Sequence, residues 1–585
     1  MGALIEKKPN RVPQVVLLGL ILALFVLIVG IVLTASVPPV SRDALTHHLA
    51  IPKLFIKHGG IVELPDIPFS YYPMNLDLLY LAVLSFGNDI APKYIHLFFA
   101  LLTAGLTYHY LKPRMGSVFG MLGALLWLST PIVVRLASEV YVDLGVAFFG
   151  FASIYMVLRW IDSGFKMRCL IWSGVWCGLA LGTKYNALVI LAILSLMVPY
   201  LRSRLDKGEK LLQQRLSEGT KSDQLTDAGI VSPRGSLRSV ILATVCFVGV
   251  ALIVFSPWMI RNTILKQNPI YPMFNRVFNT EDSSDPEWSR TATMVQDTSG
   301  TMVVRHLVFK ESLGYMALMP LRIFYEGRDD SPRHFDGKLN PFLLVFSIAG
   351  FLPLGTLPAT IKIEQRIWCG FSILFILIAF FTAPVRIRYI LPALPAIVIL
   401  AMIGIFRSWE YIRKNCAPSL QTLLKLLLSL AILLMLGYNA NYFVDRFRKV
   451  EPLGYLNGEV TRDTYISERW PEYLLIKYIN DNLAPDARIL GLFVGQRMYY
   501  FDREIVFSEG ILGESLRGKP SPDDVLSVLR SHGITHLVIR WDLFHNWTRQ
   551  ALDHDKRDAL QKFWRQHIQE IMANNGYYLF VIKEY

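Results

Sequence analysis

From Pro13 to Val37 the chain runs almost without interruption through Leu, Ile, Val, Ala and Gly. A run of that length crosses a hydrocarbon core, which needs roughly 20 apolar residues. No small-residue cleavage site of the secretory kind ends it, so it is expected to stay as an anchor. The rest of the chain repeats the pattern. Of the 585 residues 53% are hydrophobic and only 18% charged, too little charge for a soluble protein of this size. The composition therefore describes a polytopic membrane protein and excludes a soluble globular one.

Apolar runs of bilayer length predict about eleven spans, at 13–37, 89–111, 116–133, 143–160, 168–183, 186–201, 239–257, 341–360, 367–384, 389–406 and 421–441. Spans five and six are short and separated only by Gly182-Thr-Lys-Tyr185, which leaves a paired re-entrant hairpin open there. Basic residues alternate onto one face: Lys7, Lys8 and Arg11, then Lys112 and Arg114, Arg159 to Arg168, the loop Arg202 to Arg238, and Arg407 to Lys414. The positive-inside rule makes that face cytoplasmic. The formal charge of +13 reports topology and contact with anionic headgroups or phosphates, not nucleic acid. The five cysteines fall in spans or cytoplasmic loops, so neither a disulfide framework nor a cysteine metal site is indicated.

Three large segments, 38–88, 258–340 and 442–585, are expected on the opposite face. The polar stretch 206–236 reads as a flexible cytoplasmic loop. From about Trp470 the pattern becomes alternating: helices at Glu472–Asn482, Asp523–Ser531 and Arg557–Met572, and strands at Ile489–Phe493, Thr535–Arg540 and Tyr577–Lys583. The expected architecture is mainly α: a helical bundle over 1–441, then an extracytoplasmic segment 442–585 that is α/β from about 470.

Several short motifs line up on the non-cytoplasmic face. Asp43 follows the first span and opens the amphipathic stretch Ala44–His58, which breaks at Gly59-Gly60. Glu139-Val-Tyr-Val-Asp143 stands at the mouth of the fourth span, Gly182-Thr-Lys184 after the fifth, and Pro257-Trp-Met-Ile-Arg-Asn262 with Asn268-Pro-Ile-Tyr-Pro272 at the start of the second large loop. Arg388-Tyr-Ile-Leu-Pro-Ala-Leu-Pro395 opens a late span. In this order the motifs resemble the GT-C superfamily of integral membrane glycosyltransferases, in the branch of the protein O-mannosyltransferases and the lipid A aminoarabinose transferase.

The resemblance implies a transferase of hexosyl or pentosyl groups that takes its sugar from a polyprenyl-phosphate donor and inverts the anomeric centre. The acceptor would be a hydroxyl on a protein, lipid or glycan. Such a donor stays in the bilayer, so the site must lie at its surface. There Asp43 would act as general base; its alternative role is to cap the following helix, as would Ser41. Asp143, with Glu139 one turn earlier, would orient acceptor or base, or simply cap span four, and Arg135 is an internal partner for either acid. The first loop carries one acid before Ala44 where relatives carry an adjacent pair. A divalent metal ion, shared by Asp43 and Asp143, is the one cofactor left open.

Lys184, Arg261, Arg386 and Arg388 are the candidates for binding the phosphate, with arginine offering bidentate geometry; their alternative is to snorkel at the interface. His47 and His48 are neighbours on a helix and should point about 100° apart, which argues against zinc and leaves His48 structural or substrate-contacting. Tyr71, Tyr72 and Tyr271 would either stack on sugar rings or lie in the interfacial aromatic belt, with the belt the better fit, and Asn546-Trp-Thr548 fits a glycosylation acceptor. The expected setting is a bacterial inner membrane with the N-terminus cytoplasmic and the C-terminal domain outside. The rival is a polytopic transporter or lipid flippase, which tends to show paired repeats and broken midplane helices.

Overall fold

The computed structural model describes residues 14–219, 237–279, 301–354, 359–382 and 386–583. Among the described residues seven helices are long and apolar enough to cross a membrane: Gln14–Ala35, Asp143–Asp162, Ala187–Arg204, Leu237–Lys266, Ile361–Phe380, Ile387–Asn415 and Pro418–Val450. Ser117–Ser129 and Pro131–Ala137 make an eighth if that pair, bent by 65°, is one span. The spans expected at 89–111, 168–183 and 341–360 correspond to the helices Ala91–Met115, Met167–Leu181 and Pro341–Ala349, the last two only 15 and 9 residues long. The helix from Ala187 continues to Gly219, so the first half of the expected loop 206–236 is helical; residues 220–236 lie outside the described residues.

Close packing sets the positions of the shorter helices. A Cβ on Gly174 would stand 2.9 Å from the Phe247 carbonyl oxygen, and one on Gly178 2.6 Å from that of Ala251. The two glycines thus let Met167–Leu181 press directly on the backbone of Leu237–Lys266, as small residues four apart do between membrane helices. One turn further, Gly182 meets Asn75, whose side-chain nitrogen a Cβ would approach to 2.2 Å. Asn75 N donates to Gly182 O at 2.8 Å, and Trp258 Nε1 donates to Asn75 Oδ1 at 2.9 Å. Residues 75, 182 and 258 are therefore fixed together at one end of the bundle.

On that end sits the C-terminal domain, a five-stranded sheet in the order β2-β1-β3-β5-β4. Its strands are β1 (Arg488–Leu492), β2 (Glu504–Val506), β3 (His536–Arg540), β4 (Ile568–Asn574) and β5 (Tyr577–Ile582). β1 runs parallel to β2 and β3, and β5 antiparallel to β3 and β4. The expected helix Arg557–Met572 is corrected here: the helix is His554–His567, and 568–574 is a strand. Asn575 and Gly576, with φ of 50° and 81°, form the two-residue turn of the β4–β5 hairpin. Asn-Gly is the favoured pair for that turn.

The domain grips the segment that follows the first membrane helix. Leu45 is buried in the same cluster as Trp470, Ile476 and Leu579. Tyr499 N donates to Leu45 O at 3.1 Å, and Tyr500 Oη to Pro39 O at 2.8 Å. Lys53 Nζ donates to Tyr499 O at 2.9 Å and Asp502 Oδ1 at 2.8 Å. The stretch Pro39–Lys53 is held from both sides, by bundle and by sheet.

Candidate active site at the mouth of the bundle

Pro38 and Pro39 end the first helix, and Lys93 Nζ donates to Val37 O at 2.7 Å to fix the bend. Asp43 then precedes a π-turn, Ala44–His48, closed by Leu49 N donating to Ala44 O at 2.9 Å. The Asp43 side chain makes no capping hydrogen bond. It accepts instead from Arg388 Nη1 at 2.6 Å. Burial alone would raise the Asp43 carboxyl; the adjoining Arg388 guanidinium, together with the neighbouring His47 and His48, outweighs it and holds Asp43 well below the usual carboxylate range. Arg388 belongs to the 3₁₀ turn Ile387–Ala393, with its guanidinium 5.0 Å from the Tyr141 ring centroid and 5.3 Å from that of Tyr389.

A second ion pair flanks the first. Asp143, the opening residue of Asp143–Asp162, is 3% exposed and accepts from Lys184 Nζ at 2.7 Å. Val142 holds the cap position, and no side chain caps that helix. Lys184 Nζ also lies 5.4 Å from the centre of the Tyr389 ring, so the cations of both pairs face one aromatic side chain. The Glu139–Asp143 bend is set by His96. Leu144 N donates to His96 Nε2 at 3.0 Å, which puts the hydrogen on Nδ1 and lets that atom donate to Leu136 O at 2.8 Å.

His48 is buried, and its Nδ1 lies 2.7 Å from Asp77 Oδ1, in the first turn of Asn75–Leu84. His47 stacks on Phe69 with ring centres 4.6 Å apart, and its ring centre is only 4.1 Å from that of His48. The turn that carries the two histidines is π and not α. Burial, then His48, push His47 well below the usual imidazole value.

The remaining candidates stand elsewhere. Glu139 pairs with Arg446, and Arg135 Nε lies 3.9 Å from it. Arg135 also meets Asp329 and Asp336 at 3.2 Å and Asp330 at 2.9 Å, while Arg386 lies 3.6 Å from Asp336. This second network pins residues 329–336 to the bundle. Arg261 Nη1 donates to Ser70 O at 3.0 Å, beside Tyr71. Tyr71 and Tyr271 are 1% and 4% exposed, packed inward and not in an aromatic belt. Asn262 Nδ2 ties them together by donating to Tyr71 O at 2.8 Å and Tyr271 O at 3.3 Å. Asn546–Thr548 lies within the helix Trp541–Ala551.

Among the described residues no three His, Cys, Asp or Glu side chains converge as metal ligands. Asp43 and Asp143 each face a cation, so the groups as arranged do not fit a shared divalent ion. Sequence reasoning passed over Asp77, Tyr141, Tyr389 and Asn262. Tyr389 and Asn262 lay inside motifs already singled out, next to arginines that drew attention away from them. Asp77 had no local signal beyond a carboxylate two residues after Asn75.

Residues 78–213 match the sequence model of the family described as dolichyl-phosphate-mannose-protein mannosyltransferase. The structure is similar to that of ArnT from Cupriavidus metallidurans in the apo state, with a TM-score of 0.53 at 14% identity, covering 96% of this chain and 97% of that one. ArnT bound to undecaprenyl phosphate matches with the same figures. The apo oligosaccharyltransferase of Archaeoglobus fulgidus gives a TM-score of 0.47 at 12% identity over 89% of this chain and 70% of that one, too loose a likeness to argue from. No curated protein sequence matches the chain. The protein is a multi-pass membrane protein with the GT-C glycosyltransferase fold, as the motifs around Asp43, Asp143 and Arg388 led one to expect.

Proposed function

We propose that the protein transfers a sugar from a polyprenyl-phosphate donor to an acceptor hydroxyl on the extracytoplasmic side of the membrane, with inversion. The carrying observation is the pairing of Asp43 with Arg388 beside Asp143 with Lys184. Two carboxylates serve the acceptor side of a displacement, and two cations serve the phosphate that leaves. The undecaprenyl phosphate named for the similar ArnT structure supports a lipid phosphate as leaving group.

In this reading the donor phosphate draws Arg388 and Lys184 toward itself and frees Asp43 to accept the acceptor's proton. The acceptor oxygen bonds to the anomeric carbon as the carbon–oxygen bond to phosphate breaks. Asp143 orients the acceptor or the base. His48, Glu139, Arg261 and Arg386 act around that centre by holding segments in place. The C-terminal domain helps select the acceptor, because it holds both ends of the Asp43 segment. A transporter reading is less favoured, since the charged pairs gather at one mouth of the bundle.

The test is transfer from a panel of radiolabelled polyprenyl-phosphate sugars by purified wild type and Asp43→Asn, with membrane extract supplying acceptors. Wild-type transfer that disappears in the variant, with donor binding kept, is the expected result. Failure of every donor across metals and acceptors would overturn the assignment.

A further inference from the structure

We propose that the cavity beside the stretch 301–325 binds an anionic phospholipid from the leaflet on the C-terminal-domain side. Its phosphate sits between Arg328 and Lys338, and its acyl chains lie along the helix Pro418–Val450. The inference concerns the membrane and not the reacting sugar, so it stands apart from the transferase reading.

The stretch itself is built to lie on lipid. Leu307, Val308, Leu313, Leu318 and Leu321 are 47–76% exposed, and so many large apolar side chains in so short a segment call for a covering surface. The helical turns Val304–Val308, Leu313–Ala317 and Met319–Arg322 hold five, five and four residues. Turns of that length cannot cross a bilayer, which leaves the interface as the place for them.

The cavity next to them encloses about 490 Å³ and is lined by Tyr315, Tyr325, Arg328, His334, Lys338 and Tyr438, with Glu326 and Gly327. Tyrosine is favoured at headgroup level, where its ring is apolar and its hydroxyl wet. Tyr438 makes the connection to lipid. It belongs to the span Pro418–Val450, whose apolar window is only 6% buried inside the protein. Leu434 and Leu430, one and two turns earlier on the same face, are 55% and 50% exposed. An acyl chain laid on those leucines ends at the cavity.

Charge then selects the headgroup. Glu326 accepts from Arg322 Nη2 and from Tyr315 Oη, both at 2.9 Å, and Glu311 pairs with Arg305 and Arg322. Asp329, Asp330 and Asp336 face Arg135, Lys449 and Arg386. Arg328 and Lys338 have no carboxylate partner among the described residues; Lys338 Nζ faces the ring of Tyr438, 4.9 Å from its centre. Two uncompensated cations at a membrane surface favour a headgroup of net negative charge over a zwitterionic one.

The site has a bearing on the ion pairs. A Cβ on Gly327 would stand 2.8 Å from Ile387 Cδ1, and Ile387 N donates to Phe335 O at 2.8 Å. The segment 327–338 thus joins the lipid cavity to the turn Ile387–Ala393 that carries Arg388.

The test uses the full-length protein, purified in detergent and stripped of lipid, into which phosphatidylglycerol, phosphatidylcholine or inorganic phosphate is titrated. Protection from hydrogen exchange in residues 313–338 reports the affinity at this site alone. Wild type is compared with Arg328→Gln, Lys338→Gln, the double variant, and Leu313→Ser with Leu318→Ser; melting temperatures without lipid establish that each is folded. Each cation is expected to contribute about fivefold. Wild type should therefore prefer phosphatidylglycerol over phosphatidylcholine about 25-fold, each single glutamine variant about fivefold, and the double variant not at all. The serine variant should weaken both lipids and keep their ratio. Equal binding of the two lipids by wild type, or a wild-type preference in the double variant, would overturn the site. Inorganic phosphate matching phosphatidylglycerol would overturn the lipid and leave a free-anion site. A serine variant with unchanged lipid binding but an altered oligomeric state would also overturn it, since a second copy of the chain would then be what covers the leucines. No donor sugar enters the experiment, so none of these failures touches the transferase reading.

Discussion

Arg388 donates to Asp43 at 2.6 Å across 345 residues of sequence, and so joins the first outer segment to the start of a late membrane helix. Neither group is free to act until something competes for the other. A lipid phosphate is a competitor of the right charge and geometry, because guanidinium binds phosphate and carboxylate in the same bidentate manner.

Substitution should separate the two halves of that pair. Arg388→Lys keeps the charge but loses the planar fork, and is expected to raise donor KM about tenfold, since Lys is a point charge and not a bidentate donor. Asp43→Asn should instead lower kcat by about 10²–10⁴ at little cost in donor KM, the range for removal of a general base. Steady-state kinetics with one labelled donor distinguishes the outcomes.

The acid stability of the pair has a definite sign. Asp43 lies below its usual pKa in the folded chain, so its contribution is complete above the unfolded value of about 3.9 and is lost as pH falls through the folded one. The difference in melting temperature between wild type and Asp43→Asn should therefore be constant from pH 8 to pH 5 and shrink only below about pH 4. Thermal unfolding in detergent across that range checks it.

Lys184 is held at Asp143 by a turn with no room for a side chain at position 182. Gly182→Ala would drive a methyl group to 2.2 Å from the Asn75 side chain. Overpacking of this kind costs about 1–3 kcal/mol. A lower melting temperature should accompany a higher donor KM, because the residue displaced with the turn is Lys184. Unchanged stability would show that Asn75 can step aside.

Lys53 touches neither ion pair, yet it bonds to Tyr499 and Phe501 of the C-terminal domain and to the Asp502 carboxylate. Lys53→Ala should loosen the domain from the Asp43 segment. Hydrogen exchange should rise in residues 39–53 and 499–502, and kcat should fall a few-fold. Protection that stays at the wild-type level would mean that the buried Leu45 holds the contact alone.

Much of the fold was legible because a bilayer imposes a simple rule on sequence. Apolar runs and basic loops marked the helices, and period-two patterns marked β1, β3 and β5. The strand β4 was missed since Ile568–Met572 also fits a helical stripe, and the hairpin turn at Asn575-Gly576 that decides the matter follows it directly. Among site residues Asp43, Asp143, Lys184 and Arg388 do meet. Glu139, Arg386 and Arg261 do not, because the partners they find in space, Arg446, Asp336 and the Ser70 carbonyl, lie far away in sequence.

By itself, then, the sequence determined that this chain lives in a membrane, where its helices run, and that carboxylates and cations stand at the ends of those helices. Length, hydropathy and charge placement are local properties, and lipid enforces them segment by segment. Only the tertiary structure decided which carboxylate faces which cation and that His48 finds Asp77. It also decided that His47, in a π-turn, stacks on Phe69. Those outcomes depend on close contacts between segments tens to hundreds of residues apart, set by side-chain packing that no local pattern encodes.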